Sequence, residues 1–284
     1  MSGRAEHPGQ GPGEVRTLLA RDGARLEYEV LGEGPPLVML HGILAGRRTF
    51  SRVRDGLARR RRVFLLSARG HDGSESRLPA EYGVGTSDVD DLSVLLEAEG
   101  LGRVDLLGHS SGGATALVFA CRYPQRVKRL VLIEPSVLAL LPREVRDVVV
   151  AGSLAVAAAG DADGPEAALR TALAFTGGDG WQALDPAAQG RRVQALAPAA
   201  AIVGPHFRGL CALEVSDADV VGLRVPALLL YGESSFPFEG DIADRFRALR
   251  PDLRVMTVAG AGHNVHRDQA DLVNAEVAAF LGDG

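Results

Sequence analysis

The chain has 284 residues, 46% of them hydrophobic, and its 31 basic and 36 acidic residues give a formal net charge of −5. This length suits one α/β domain with an insertion, and its core needs no disulfide or metal to hold it together. The acidic balance argues against a nucleic-acid-binding protein, which would carry a basic face. Cys121 and Cys211 lie far apart without a C-x-x-C motif, which argues against a disulfide scaffold and a cysteine-based zinc site.

Residues 1–14 are polar and rich in Gly and Pro, so we predict a flexible N-terminal tail without a signal peptide. The most apolar run, residues 148–160, is too short to span a bilayer. We therefore expect a cytoplasmic protein that acts on a small molecule and has no nucleic-acid or membrane partner. The sequence leaves the oligomeric state open, a homodimer included.

Strand and helix patterns alternate along the chain. Residues 15–19 and 25–30 flank an Asp-Gly hairpin signal, and six short apolar runs follow at 37–40, 63–66, 104–107, 130–133, 227–231 and 253–258. Stretches with helical spacing, such as 84–99, 114–123 and 242–249, separate these runs. The alternation predicts an α/β fold, in which a mostly parallel sheet is covered by helices on both faces.

One interval interrupts the alternation. Residues 137–222 contain no convincing strand and are punctuated by Pro and Gly, and so long a loop without structure is improbable in a compact domain. We predict that they form a helical cap, inserted into a core made of residues 15–136 and 223–284.

The strongest motif is G-H-S-S-G-G at residues 108–113, which follows one apolar run and precedes a helical stretch. It matches G-x-S-x-G in its strand–turn–helix context, and this predicts Ser110 as a nucleophile exposed on a strained turn. The alternative is a glycine-rich turn in which the serine merely caps a helix.

A nucleophilic serine needs a base. His263 follows the last apolar run, in G-A-G-H-N-V-H at residues 260–266, and we predict that it is this base. The alternative is a surface histidine in a turn. His266 is predicted to be a packing residue, and no metal is expected because the pair lacks a third ligand and no H-E-x-x-H motif occurs.

A third element follows the run at 37–40. The backbone N–H of Ile43, after His41 and Gly42, is predicted to join the N–H of Ser111 in an oxyanion hole. The alternative is that His41 and Gly42 merely end a strand.

With these motifs in this order, the chain resembles the α/β-hydrolase fold superfamily over residues 15–282, and S-A-R-G-H-D-G-S at 67–74 adds to the likeness. The resemblance implies eight strands, the second antiparallel to the others. Phe50 stands where many members have a tryptophan, and Ser235 stands where many carry the catalytic acid. Other members carry the acid after the sixth strand, where this chain has Glu134.

We predict Glu134 as the acid that orients His263, with Glu233 or no acid at all as the alternatives.

A serine nucleophile argues against the dehalogenase and epoxide-hydrolase chemistry of related scaffolds, which uses a carboxylate. We therefore expect a serine hydrolase without cofactor that cleaves an ester, a lactone, a related acyl bond or the C–C bond of a diketone, in a small and apolar molecule. The alternative is a non-hydrolytic binding protein or cofactor-free cyclase on the same fold.

Overall fold

Eight strands form one sheet in the computed structural model, which describes residues 13–282. The strands are β1 (Glu14–Leu19), β2 (Arg25–Leu31), β3 (Pro36–Leu40), β4 (Arg62–Leu66), β5 (Val104–His109), β6 (Val127–Ile133), β7 (Ala227–Gly232) and β8 (Arg254–Val258). Their order across the sheet is β1-β2-β4-β3-β5-β6-β7-β8. Strand β2 is antiparallel to β1 and β4, and the other neighbours are parallel. The predicted eight-stranded, mostly parallel sheet is confirmed.

Helices cover both faces of the sheet. They are α1 (Arg54–Leu57), α2 (Ser87–Ala98), α3 (Ser111–Arg122), α4 (Arg143–Asp163), α5 (Pro165–Gln182), α6 (Pro186–Leu196), α7 (Ala200–Cys211), α8 (Asp217–Gly222), α9 (Pro237–Leu249), α10 (Val265–Asp268) and α11 (Ala270–Leu281). Helices α2, α3 and α9 share one buried core with the sheet, and α1 and α11 share the other. Alternate residues of β3 supply the two cores, because successive strand side chains point to opposite faces.

The central strands end in register. Leu40 pairs with Gly108, His109 with Ile133, and Ile133 with Leu230. The residues that follow β3, β5, β6 and β7 therefore meet at one edge of the sheet, which is where open parallel sheets place their ligands.

Residues 1–12 of the predicted flexible tail lie outside the described residues. Glu14, which we had placed in that tail, instead begins β1 and pairs with Val30 of β2. The tail boundary was wrong at this position because the hairpin continues one residue beyond the apolar pattern.

Residues 138–222, which we call the helical segment, run from a 3-10 turn at Leu138–Leu140 through α4 to α8, and no strand is assigned in this stretch. Leu169, Leu173, Trp181 and Phe207 belong to a buried cluster of the segment's own. Ile43, from the loop after β3, packs against this cluster, so the segment lies next to the carboxyl edge of the sheet. None of the described helices has the length and apolar character needed to cross a membrane.

Gly232, at the end of β7, is required by a close backbone contact. A Cβ atom there would lie 2.4 Å from the carbonyl oxygen of Ala261 and 2.5 Å from that of Gly262. We expect Gly232→Ala to lower the free energy of unfolding by about 1–3 kcal/mol, because neither backbone carbonyl can move aside cheaply. Urea unfolding followed by circular dichroism measures this.

The matched control is Gly240→Ala in α9, where a Cβ atom meets nothing within 4 Å. This change should raise the free energy of unfolding by up to ~1 kcal/mol, because alanine is the better helix former. Equal effects of the two changes would contradict the steric argument.

Candidate active site

Ser110 lies on the sharp turn between β5 and α3. Its backbone has φ 55° and ψ −122°, a strained conformation for a residue other than glycine. Glycines make room for the turn: a Cβ atom on Gly108 would lie 2.4 Å from the carbonyl oxygen of Gly112, and one on Gly42, in the loop after β3, would lie 2.7 Å from the Cβ of Ser110. Strain of about 1–3 kcal/mol at such a position is typical of functional sites.

The Ser110 hydroxyl has a neighbour that the sequence did not reveal. Its Oγ lies 3.2 Å from the Oγ of Ser136, whose backbone N–H donates to the carbonyl oxygen of Ser110 at 3.1 Å. Ser136 comes two residues after Glu134 in the loop that leaves β6. The hydroxyl of Ser110 therefore rests against Ser136 in this structure.

His263 lies in the loop between β8 and α10, where its Nδ1 hydrogen-bonds to Oε2 of Glu134. Its side chain is 23% exposed and lines the same cavity as Ser110. Because Nδ1 faces the carboxylate, Nε2 is the nitrogen that remains to accept a proton from a nucleophile.

Glu134 is fully buried directly after β6, and its carboxylate is well supplied with donors. The backbone N–H of Gly232 donates to Oε1 at 2.7 Å, and the hydroxyl of Ser235 donates to Oε2 at 2.5 Å. The backbone φ of Glu134 is 47°, in the left-handed region. Hydrogen bonds to both oxygens offset the cost of burying a charged carboxylate.

The structure separates the two candidate acids. Glu233 is exposed on the turn after β7, where it accepts the backbone N–H of Gly260 at 3.2 Å, whereas Glu134 contacts His263. Ser235, in the position usual for the acid, supplies a hydrogen-bond donor to Glu134 instead.

Glu239, in the first turn of α9, was not singled out by the sequence. Its side chain is buried, with Oε1 3.9 Å from Nδ1 of His263 and without a hydrogen-bond partner among the described residues. Burial, and after it the charge of Glu134, holds the pKa of Glu239 well above its usual range. We therefore expect a neutral carboxylic acid at neutral pH.

Glu134, Glu239 and His263 each offer one atom to a cluster that spans no more than 4.8 Å, which is close enough for a metal ion. The oxygens of Glu134 already accept from His263, Ser235 and Gly232. A cation would have to displace the bond between Glu134 and His263, so we interpret the cluster as a hydrogen-bonded network.

The predicted oxyanion donors lie beside each other. The N–H of Ile43 donates to Oγ of Ser111 at 2.9 Å. Ser111 begins α3, and an N–H in the first turn of a helix has no acceptor within that helix. Next to Ile43, the N–H of Leu44 donates to Nε2 of His71 at 3.1 Å, and this bond helps to hold the loop in place.

The histidines behind His263 are buried. His266 hydrogen-bonds through Nε2 to Oγ1 of Thr49 at 2.8 Å, and its ring lies 4.5 Å from that of His109. Burial, followed by the charge of His263, lowers the pKa of His266 to about 3. Burial also holds the pKa of His109 well below its usual range, with His266 and His263 adding to the effect. Both imidazoles are therefore neutral at pH 7, and His266 has the surroundings of a packing residue.

Ser110 and His263 open into a cavity of about 610 Å³, a volume typical of small-molecule sites. Ile43 lines it from the core, while Leu173, Trp181 and Leu184 line it from the helical segment.

Comparisons with known proteins agree with this architecture. The sequence matches the family model described as alpha/beta hydrolase fold over residues 35–270. It is 37% identical over 123 residues to the 2-hydroxy-6-oxo-2,4-heptadienoate hydrolase of Pseudomonas putida, covering 42% of this chain and 44% of that protein. The chain thus matches less than half the length of this relative.

Two further similarities extend over most of the chain. The sn-1-specific diacylglycerol lipase ABHD11 of Mus musculus is 28% identical over 270 residues, which covers 87% of this chain and 81% of that protein. A hydrolase structure from Pseudomonas aeruginosa superposes with a TM-score of 0.79 at 24% identity, covering 95% of this chain and 99% of that one.

The protonated state of Glu239 predicts a pH-dependent difference in stability. The unfolded chain ionises this carboxyl near pH 4.5, whereas the raised pKa keeps the proton on the folded protein. As pH rises above 4.5, the unfolded state loses this proton before the folded state does. The free energy of unfolding of the wild type therefore falls relative to that of Glu239→Gln. The difference in free energy of unfolding between Glu239→Gln and the wild type should grow by up to about 1.4 kcal/mol per pH unit, until the pH reaches the pKa of Glu239 in the folded protein.

Urea unfolding of both proteins between about pH 5 and about pH 8 measures this difference. Glu233→Gln, measured in parallel, corrects for loss of a carboxylate from the surface. A constant difference between Glu239→Gln and wild type at every pH would contradict the protonated state.

Proposed function

The chain belongs to the alpha/beta hydrolase fold family, and we propose that it is a serine hydrolase that cleaves a carboxylic ester, a lactone or a related acyl bond of a small molecule. The observation that carries this proposal is the arrangement of Ser110 on its strained turn with His263 bonded to Glu134, all at one edge of the sheet. The relatives named above are hydrolases, which supports the reaction class.

In the proposed mechanism, the Ser110 hydroxyl turns from Ser136 towards Nε2 of His263 when substrate enters. His263 takes the proton as Oγ attacks the carbonyl carbon, and Glu134 stabilises the imidazolium through Nδ1. His263 then returns the proton to the leaving group, which departs and leaves an acyl group on Ser110. His263 then takes a proton from water as the water attacks this acyl-enzyme, and it passes that proton to Oγ of Ser110 as the acid is released.

The N–H groups of Ile43 and Ser111 are proposed to hold the tetrahedral oxyanion. Each donor of this kind contributes ~3 kcal/mol to the transition state. Because the Ile43 N–H donates to Oγ of Ser111 in this structure, it must change or share its acceptor when the oxyanion forms.

The neutral neighbours of His263 suit this mechanism. His109 and His266 stay uncharged behind it, and the raised pKa of Glu239 keeps that carboxyl protonated. The imidazolium formed during catalysis therefore faces one buried carboxylate, Glu134, and no nearby imidazolium that would oppose its charge.

Residues 137–222 are proposed to act as the cap that controls access to Ser110. Side chains of this segment form one wall of the cavity, which supports the role. Cleavage of a C–C bond in a diketone stays within the proposal as a second substrate type, because the named relative from Pseudomonas putida acts on a 2-hydroxy-6-oxo-dienoate.

The alternative of a binding protein with a decayed triad was motivated by Ser235 in the usual acid position. In the structure the hydroxyl of Ser235 donates to Glu134, and Glu134 contacts His263. This arrangement supports an acid that is present but supplied by another strand, and we therefore favour the hydrolase.

Covalent labelling tests the nucleophile. A fluorophosphonate probe should label the wild type at Ser110 in a ratio of one to one, because only a deprotonated serine attacks phosphorus at a useful rate. Ser110→Ala should fold normally, take up no label and lose several orders of magnitude in ester turnover. Mass spectrometry of the labelled peptide locates the adduct, and adduct on any other serine would overturn the assignment.

A pair of matched carboxylate variants tests the acid. Glu134→Gln should lower kcat for a p-nitrophenyl ester by about 10³-fold or more, because an amide cannot stabilise the imidazolium. Glu233→Gln removes one exposed carboxylate and should stay within about threefold of wild type. The two are compared at several pH values with thermal melting as the control for folding. A large loss in Glu233→Gln alone would reverse the assignment.

A further inference from the structure

The exposed part of the lining of the active-site cavity, which we call its mouth, is rich in arginine. Arg48, Arg52, Arg192 and Arg267 line it, and no described aspartate or glutamate side chain does. The whole chain carries five more acidic than basic residues, so this concentration of positive charge runs against the average composition. Like charges collected around a cleft repel one another and attract anions.

The four arginines come from two parts of the chain, the core and the helical segment. Arg48 lies on the 3-10 turn Arg47–Phe50, Arg52 follows it, and Arg267 lies on α10 after the His263 loop. Arg192 approaches from α6 of the helical segment. All four side chains are exposed, so their guanidinium groups remain available to a ligand that enters the cavity.

Some arginines elsewhere in the fold are bound to carboxylates, and others to backbone oxygens, as Arg122 is to Gly85. Arg47, next to Arg48 in the chain, pairs with Glu27 and lies 3.7 Å from Asp72, and Arg69 bonds to Asp22 and Asp91 at 2.8 Å. None of the four cavity arginines forms an ion pair with a described carboxylate. The bond from Arg52 to the backbone oxygen of Arg267, at 3.0 Å, joins two of them.

The inner part of the cavity has a different character. Ser110, Leu173 and Trp181 line the cavity and are buried, whereas the four arginines are exposed. A ligand that places its carbonyl carbon at Ser110 therefore shares the cavity with buried apolar side chains, and any part of it that stays near solvent is close to exposed guanidinium groups.

We propose that the substrate carries an anionic oxygen group, a carboxylate or a phosphate, on the end remote from the scissile carbonyl, and that the arginines at the cavity mouth bind it. A guanidinium group suits either anion, because its fork of N–H donors matches two oxygens at once. This inference rests on the proposed function for the position of the carbonyl, and it adds a charged end to the apolar body expected there.

The test compares methyl esters of equal length that differ in the end group. Methyl hexanoate is neutral, monomethyl adipate ends in a carboxylate, and the corresponding ω-phosphono and ω-amino esters end in a phosphonate and an ammonium group. Hydrolysis is followed as acid release at constant pH. We expect kcat/KM for the carboxylate or the phosphonate ester to exceed that for methyl hexanoate by about tenfold or more, with the ω-amino ester the poorest. The better of the two anionic esters identifies the end group.

A second readout does not depend on catalysis. Trp181 is the single tryptophan of the chain and lines the cavity, so its fluorescence reports ligand entry. In Ser110→Ala, the anionic esters should bind at concentrations about tenfold lower than methyl hexanoate, and raising the salt from about 0.02 M to about 0.5 M should reduce this advantage. If no ester is cleaved yet the anionic ones still bind more tightly, the proposed function fails and the anion site stands.

Arginine variants test whether the arginines at the cavity mouth cause the preference for anionic esters. Arg48→Gln, Arg192→Gln and Arg267→Gln should each lower the ratio of anionic to neutral kcat/KM by about threefold to tenfold. The matched control is Arg191→Gln, since Arg191 is exposed on α6 next to Arg192 but does not line the cavity. Its ratio should stay within about twofold of wild type.

Two outcomes overturn the inference. One is equal or weaker hydrolysis and binding of the anionic esters compared with methyl hexanoate. The other is a ratio of anionic to neutral kcat/KM that is as large in Arg48→Gln, Arg192→Gln and Arg267→Gln as it is in Arg191→Gln.

Discussion

Burial of a carboxylate is costly unless its oxygens are hydrogen-bonded, and Glu134, buried at the centre of the site, has hydrogen-bond partners on both oxygens. Its partners come from β7, from the loop after β7 and from the loop after β8, through Gly232, Ser235 and His263. The carboxylate thus joins three segments that are distant in sequence, and the position of His263 depends on it.

The position of Glu134 directly after β6 explains several features that otherwise look unrelated. The left-handed backbone of Glu134 turns the chain at the end of the strand, while its N–H still donates to Leu230 of β7 at 3.0 Å. Gly232 must lack a side chain for the chain to approach Ala261, and its N–H is also a donor to the acid. Ser235 then has a structural reason to be a hydroxyl rather than a second carboxylate, since another negative charge would repel Glu134.

Much of the fold followed from local sequence pattern. The strands and the turn at Ser110 were predictable because buried strands give continuous apolar runs and because the elbow needs glycine at 108 and 112. The contact between Glu134 and His263 was predictable only as one of three alternatives, since side chains 129 positions apart give no local signal of proximity. Glu239 stands in an ordinary first turn of a helix, where glutamate is common, and only tertiary burial distinguishes it. The arginines at the cavity mouth were not predictable for a similar reason. The sequence contains many arginines and does not show which of them line the cavity without an ion-pair partner.

Three consecutive residues after β6 contact different parts of the site. Glu134 bonds to His263, and Ser136 contacts Ser110. Between them, Pro135 lies so near α3 that a Cβ atom on Gly113 would be 3.0 Å from its Cα. The same three residues lead the chain from the sheet into the helical segment. The chemistry and the covering segment are therefore not independent modules at this end. An exchange of the helical segment between relatives can begin after Ser136 and keep the proposed triad, whereas a join made three residues earlier would replace Glu134. The start of the helical segment is thus tied to the proposed acid and to the neighbour of the proposed nucleophile.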